Sequence, residues 1–284
     1  MQIISSANDL AAAVSNARQH GKNISFVPTM GALHAGHMEL VRLARQKADR
    51  VVVSIFVNPA QFSPGEDLSR YPRTPDQDRA RIAGAGGHLA FLPSVEEMYP
   101  PGASTIVEVS GVSSGLCGDR RPGHFRGVAT VVAKLLMQCL PDVAVFGEKD
   151  FQQLVLIKEL ARRSFKEIEI LAAPTIRESD GLALSSRNVR LSQSDRSTAV
   201  VMYRALLAAK EGKDIASARS AMHKIFQQVP AFKLDYAQII DEDNFAIATD
   251  STPNQRAIIA GWLNGVRLID NMQMSPSLIG AGVR

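Results

Sequence analysis

The sequence predicts an α/β protein, with a doubly wound parallel-sheet domain over residues 1–176 followed by a smaller α+β domain over residues 177–284. Three observations carry that expectation. Short β-branched runs alternate with amphipathic stretches through the first half, the pattern of strands and helices laid down in turn. One run, "RVVVSIFVN" at 50–58, is almost continuously apolar, as a parallel strand covered on both faces should be. Beyond residue 177 the alternation stops, and two consecutive helical stretches precede three closely spaced strand candidates, which suits an antiparallel sheet. The first domain is therefore expected to be Rossmann-like.

In chain order, "NISFVP" (23–28) reads as a buried strand and "HMELVRLARQKAD" (37–49) as a helix with Leu40, Leu43, Ala44 and Ala48 on one face. With the strand at 50–58 and short connections they make a βαβ unit. "TPDQDRARIAGAG" (74–86) opens on a Thr cap with Pro in the first turn and ends in glycine, as a helix should. "HLAFLPS" (88–94) is a short strand, and a Pro/Gly-rich segment (100–127) follows it. "VATVVAKLLMQCL" (128–140) and "FQQLVLIKELARRS" (151–164) read as helices, "DVAVFG" (142–147) and "EIEILAAPTI" (167–176) as strands. In the second domain, 193–212 and 214–229 read as helices, and 233–241, 256–264 and 266–274 as strands. No internal repeat or low-complexity tract is present.

Composition removes several classes of function. With 45% apolar and 21% charged residues the chain is globular rather than disordered. Its apolar runs are far too short to span a bilayer, and the N-terminus lacks the cationic start and long apolar core of a signal peptide. A cytoplasmic protein without a membrane partner is expected. Cys117 and Cys139 are not in a C-x-x-C spacing and read as buried or incidental thiols. The net charge of +4 is spread along the chain, which favours small anions without indicating nucleic acid. Aromatics make up 6% of residues and do not cluster among the basic ones, which weighs against an RNA-binding module. Neither a G-x-S-x-G elbow nor a Walker P-loop occurs, so acyl-enzyme and P-loop kinase chemistry fall away.

The remaining signals sit at the carboxyl ends of predicted parallel strands, where open α/β sheets bind ligands. "VPTMGALHAGH" leaves the first strand there, with Gly31 and Gly36 allowing close backbone approach and a helix starting near 36–37. His34 and His37 share one side of its first turn. They suit phosphate oxygens at the positive end of a helix. Zinc would need a third ligand and an intervening acid, and two surface histidines at a helix start would need no role. "FVNPAQF" (56–62) offers Asn58 and Gln61 to a polar substrate, or else builds an Asn-Pro turn. "FGEKDFQQ" (146–153) supplies Lys149, Asp150 and Gln153 at the same edge, or a solvated turn. "LALSSRN" (182–188) gathers Ser185, Ser186 and Arg187, a cluster that suits a triphosphate. Arg120, Arg121, His124 and Arg126 lie in a Gly/Pro-rich loop that would form a lid over anions or a solvated basic loop. Asp76 and Asp78 suit Mg²⁺, directly or through water, and equally suit a helix start.

Taken in order, "VPTMGALHAGH", "SIFVNPAQF", "YPRTPDQD", "RPGHFRGV", "VFGEKDFQQ" and "ALSSRN" closely resemble the pantothenate synthetase (pantoate–β-alanine ligase) family. That family belongs to the nucleotidyltransferases related to class I aminoacyl-tRNA synthetases. The matching pieces run from about residue 24 to 190, and residues 190–284 fit mainly as the family's smaller C-terminal domain. The resemblance implies that ATP and (R)-pantoate form a pantoyl adenylate with release of pyrophosphate, and that β-alanine then gives pantothenate and AMP. It implies that His34 and His37 stabilise the leaving charge, His37 being the position assigned as a proton donor in such families. Lys149, Ser185 and Arg187 would contact the triphosphate. Met30, Gly31, Gly147, Glu148, Asp150, Ile176, Leu184 and Ser186 would complete the ATP site. Gln61 and Gln153 would hold pantoate, with Gln61 also near β-alanine; on the residues themselves, Asn58 is a further candidate for these substrates and Asp78 for Mg²⁺. A homodimer is the implied assembly. Leu184 stands where many relatives carry Met, a change of similar volume that leaves an apolar or main-chain contact intact. Two other functions suit the same features: a nucleotidylyltransferase that keeps the nucleotide in its product, and a nucleotide sensor that binds without turnover.

Overall fold

The computed structural model describes residues 1–274. Two compact units divide the chain, residues 1–148 with 156–175, and residues 149–155 with the chain from 176 onward. Among the described residues no helix is long and apolar enough to cross a membrane.

The first unit is built on six strands: β1 (Gln2–Ile4), β2 (Ile24–Thr29), β3 (Arg50–Ile55), β4 (Leu89–Phe91), β5 (Val143–Gly147) and β6 (Glu169–Ala173). All pair in parallel, in the order β1-β4-β3-β2-β5-β6. From β2 the chain steps outward to β3 and β4, then returns to place β5 on the other side of β2. The strand order therefore reverses between β2 and β5, and the crevice beyond their carboxyl ends is where a doubly wound sheet binds its ligand. The helices in chain order are α1 (Ala7–Gln19), α2 (Ala35–Lys47), α3 (Pro75–Gly84), α4 (Val95–Met98), α5 (Cys117–Arg120), α6 (His124–Cys139) and α7 (Phe151–Ser164).

Both faces of this sheet are covered. Val27, Val51, Val53, Ala90, Val143 and Val145 pack with Met38, Val41 and Ala44 of α2 and Ile82 of α3. Ile24, Phe26, Val52, Phe91 and Ala144, of the opposite parity, are equally buried, and α1 and α6 lie against β2. This two-sided burial is why the strands read as continuous apolar runs. The buried stripe of α2 differs from the expected one: Met38, Val41 and Ala44 are its buried residues, while Leu40 and Leu43 are half-buried at its margin.

Helix α6 starts at His124, four residues before the expected position, inside the segment read as loop. Gly127 in its first turn, directly after the Pro122-Gly123 pair, disguised it, since glycine weakens a helix by about 1 kcal/mol. Gly127 is required there: a Cβ would lie 2.2 Å from the Ala60 carbonyl oxygen and 2.7 Å from Gln61 Cα. The short N-terminal β1 and the helix α1 also escaped the sequence reading.

The second unit carries α8 (Gln193–Ala199), α9 (Val201–Lys210) and α10 (Ile215–Gln227) on an antiparallel sheet of β7 (Phe232–Asp241), β8 (Gln255–Leu263) and β9 (Val266–Gln273), in the order β7-β8-β9. The stretch expected as one helix over 193–212 is two, separated at Val200. Ala205, Leu206 and Met222 of the helices bury against Ala257, Ile259 and Leu268 of the sheet.

Candidate active site

The loop leaving β2 is fixed before it reaches its histidines. Gly31 has φ +79°, and a Cβ there would meet Ile55 Cγ2 at 2.9 Å and Asp78 Oδ2 at 3.0 Å, so only glycine fits. Ala32 follows at φ 48°, a left-handed conformation that costs a non-glycine residue energy and persists only under restraint. The restraint is Asp78 of α3, 1% exposed: its Oδ2 accepts the Ala32 N–H at 2.9 Å and its Oδ1 the Leu33 N–H at 2.8 Å. Thr74 Oγ1 donates to Oδ1 at 3.1 Å, and Arg81 donates to the Leu33 carbonyl. Thr29 Oγ1 donates to the Ser54 carbonyl at 2.7 Å and accepts the Gly31 N–H at 3.2 Å. Asp78, expected from the sequence to serve Mg²⁺ directly or through water, uses both oxygens to anchor this loop. Asp76 is ion-paired to Arg79 and exposed. Among the described residues no group of three or more His, Cys, Asp or Glu is placed to hold a metal ion.

Helix α2 then opens on a histidine cap. His34, in extended conformation, accepts the Gly36 N–H on Nδ1 at 3.2 Å, and its own N–H donates to His37 Nδ1 at 3.3 Å. The two rings do for each other what Ser and Glu do in a capping box. A neutral ring whose Nδ1 accepts must carry its hydrogen on Nε2, so the main chain sets the tautomer of both. The rings lie 4.1 Å apart between centroids, tilted by 47°. No acidic residue occupies the first turn, and the positive end of the helix keeps its field. Nε2–H groups at the positive end of a helix are of a kind that suits an anion.

Gln61 sits across from Met30 and is held at both polar atoms of its amide. Its Nε2 donates to Met30 Sδ at 3.1 Å, and its Oε1 accepts from Asn58 Nδ2 at 3.0 Å. Asn58, 1% exposed, also donates to the Gly127 carbonyl at 3.2 Å, and its Oδ1 accepts the Ala60 N–H at 3.2 Å and the Tyr99 hydroxyl at 2.8 Å. Both donors and both lone pairs of Asn58 are thereby occupied, which corrects its expected contact with substrate. It orients Gln61, which retains one N–H and one lone pair. Burial pushes the Tyr99 phenol up to about 12, so it stays a donor to Asn58.

The basic loop is likewise structural at two positions. His124 Nδ1–H donates to the Gln61 carbonyl at 2.8 Å, and its Nε2 accepts from Arg121 Nη1 at 2.9 Å. Arg121 reaches the same carbonyl at 3.3 Å and grips Glu66 with two bonds of 2.7 and 2.6 Å. Arg126 pairs with Glu108 at the surface. Burial alone would raise the Glu66 carboxyl, but the hydrogen bond and charge of Arg121 outweigh it and hold the group below its ordinary 4.5. A depressed carboxyl contributes stability above its unfolded value and loses it as pH falls through the folded one. Acid titration of the melting temperature is therefore expected to fall less steeply below pH 4.5 in Glu66→Gln than in the unmodified protein. Parallel curves would remove the assigned strength of this pair.

The second unit holds the other candidates. Lys149 and Asp150 lie in a single 3-10 turn directly after β5, and Gln153 is half-buried in the first turn of α7. The Leu184 N–H donates to the Ile176 carbonyl at 2.9 Å, and Arg177 bridges to Ala183, so residues 176–184 form a small hairpin. At its end Ser185 Oγ accepts the Arg187 N–H at 3.2 Å, its carbonyl accepts the Asn188 N–H at 3.0 Å, and Asn188 Nδ2 returns to the Ala183 carbonyl at 3.0 Å. Ser186 is buried beside them. Leu184 is tied here through its main chain, a bond that Met would make equally.

The first unit thus brings Met30, Gly31, His34 and His37 to the end of β2 and Gln61 to Met30, with Gly147 ending β5 next to α2. Residues 149–155 and 176–187 contribute within the second unit. Sequence reasoning missed Tyr99, Glu66, Arg177, Arg256, Asp270 and Asn271. For the last two a signal existed, adjacent polar residues inside the apolar strand "VRLIDNMQM".

A family model described as Pantoate-beta-alanine ligase matches residues 2–273. The chain is similar to the pantothenate synthetase of Rhodospirillum rubrum, 48% identical over 279 residues that cover 96% of this chain and 98% of that one. It is similar to a crystal structure of pantothenate synthetase from Thermus thermophilus, with a TM-score of 0.93 and 45% identity over 97% of this chain and 100% of that one. A third likeness is to the pantoate-beta-alanine ligase of Francisella tularensis, complexed with beta-gamma ATP and beta-alanine. Its TM-score is 0.81, at 35% identity over 96% of this chain and 97% of that one.

Proposed function

The chain belongs to the pantoate-beta-alanine ligase family and carries out ATP-dependent pantothenate formation, and from that premise we propose that it does so through an enzyme-bound pantoyl adenylate. A pantoate carboxylate oxygen attacks the α-phosphorus in line. The bond to the bridging oxygen breaks, and pyrophosphate leaves with its electron pair. The amine of β-alanine then attacks the acyl carbon, AMP departs, and the amine proton is released.

No step needs a protein nucleophile, so the chain must supply donors where charge builds on the phosphates. His34 and His37 would provide two Nε2–H groups at the α2 terminus, and Lys149, Ser185 and Arg187 would provide cationic and hydroxyl contacts to the triphosphate. Met30, Gly31, Gly147, Glu148, Asp150, Ile176, Leu184 and Ser186 would surround the nucleotide. Gln61 and Gln153 would hold pantoate, Gln61 through its remaining N–H and lone pair. Mg²⁺ would accompany the nucleotide, and no step is routed through it, since Asp78 is committed to the loop. A cytoplasmic homodimer completes the reading on the family resemblance.

The observation that carries the reading is the tautomer-fixed histidine pair, on a helix start without acidic residues, beside the β2–β5 crossover. The test is ATP–pyrophosphate exchange with pantoate and without β-alanine. Exchange that requires pantoate is expected, followed by free AMP once β-alanine is added. A folded, ATP-binding preparation with no exchange would refute the adenylate.

A further inference from the structure

We propose that Asp270 and Asn271, neighbours on β9, are positioning residues that hold both phosphate-binding loops of the second unit, the one at Lys149 and the hairpin leading into Ser185–Arg187. The proposal rests on the ligase reading above and assigns a role to a strand that carries no substrate contact in it. Both residues are buried, 3% and 4% exposed, side by side in a strand whose other buried residues are apolar. Buried polar side chains at such positions are costly unless their hydrogen bonds are made.

Successive residues of a strand point to opposite faces, so this dipeptide serves two loops at once. Asp270 shares the face of Leu268, which packs into the helix-covered core. Its Oδ2 and Oδ1 accept from Arg177 Nη1 and Nη2 at 2.7 and 2.9 Å. The same guanidinium donates to the Gly181 carbonyl at 3.0 Å and the Asn271 carbonyl at 3.1 Å, and lies 4.9 Å over the Tyr203 ring. Every bond of Arg177 therefore ties the 176–184 hairpin to β9 or α9, or closes the hairpin on itself.

Asn271 faces the other way. Its Oδ1 accepts from Arg256 Nη1 at 2.7 Å, which orients the amide so that Nδ2 donates to the Lys149 carbonyl at 2.9 Å. Arg256 is fixed in turn by Glu242 at 2.7 Å and by stacking 4.0 Å over Phe151, two residues after Lys149. The Asp270 carboxylate also accepts the Asn271 N–H at 2.8 Å, joining the two arms. The positions of Lys149 and of the serine-arginine turn are thus set against one rigid strand.

Asn271→Asp isolates the claim. It keeps an oxygen for Arg256 and the volume of the side chain, but turns an oxygen toward the Lys149 carbonyl and loses that bond. The KM for ATP in the exchange reaction is expected to rise about tenfold with the KM for pantoate within about twofold, a selectivity that a general loss of stability would not produce. Arg177→Lys keeps the charge and loses the fork, and is expected to raise the ATP KM in the same selective way. An unchanged ATP KM in both variants overturns the proposal. So does an equal rise in all KM values together with a lowered melting temperature, which would signify a structural role alone. Absence of exchange in the unmodified protein would instead refute the adenylate reading, and the proposal with it.

Discussion

His37→Ala is expected to slow pantoate-dependent ATP–pyrophosphate exchange about 10²–10³-fold while the protein remains folded. The imidazole contributes a donor aimed at charge that develops only as pyrophosphate leaves, so the loss should fall on kcat more than on the KM for ATP. The same substitution removes the Nδ1 that accepts the His34 N–H, a capping contact at the margin of α2. Losing half of such a cap costs about 0.5–1 kcal/mol, too little to unfold a domain of this size. Exchange rates beside a thermal melt separate the two effects. Near-normal exchange in a folded His37→Ala protein would show that the donor is misassigned. Lys149→Ala should also lose most exchange, through loss of its charge on the phosphates.

Asp78→Ala is the second large effect, and it falls first on stability. It leaves the Ala32 and Leu33 N–H groups without the carboxylate that accepts them, and releases Ala32 from the restraint on its left-handed backbone. An orphaned buried donor such as the Leu33 N–H costs about 1–3 kcal/mol, so a loss of at least about 1–3 kcal/mol is expected. The gentler Asp78→Asn keeps one acceptor and turns an NH₂ against the other amide. Its exchange activity should fall because the loop that presents His34 shifts. Raising the Mg²⁺ concentration should not restore that activity, as it would for a weakened metal ligand. A Mg²⁺-dependent rescue would return Asp78 to the metal role and contradict the anchor.

These two residues also show what the sequence made legible. The βαβ pattern and the edge position of "HAGH" were readable because strand burial and helix starts follow from local spacing. The tautomer of the histidines was not, since it depends on which ring nitrogen meets which amide. Asp78 sits at a helix start where an acid is ordinary, and only the fold brings a loop 45 residues earlier onto its oxygens. Asn58 misled for the opposite reason: a polar residue at a strand end suggests a ligand contact, yet Tyr99 and Gly127, far along the chain, complete its hydrogen bonds. Gly127 concealed the start of α6 because its cause, close approach of the Ala60 backbone, is tertiary. The polar pair in β9 lacked any motif for a similar reason, its partners lying 93 and 122 residues away.

The central claim is that a pantoate carboxylate oxygen becomes bonded to the α-phosphorus of ATP. Pantoate labelled with ¹⁸O in its carboxylate, turned over with ATP and β-alanine, tests it directly by mass analysis of the nucleotide product. One labelled oxygen in the phosphate of AMP is the expected result. Unlabelled AMP, or label passing instead to inorganic phosphate with ADP as the product, would contradict the adenylate and the roles assigned to His34 and His37.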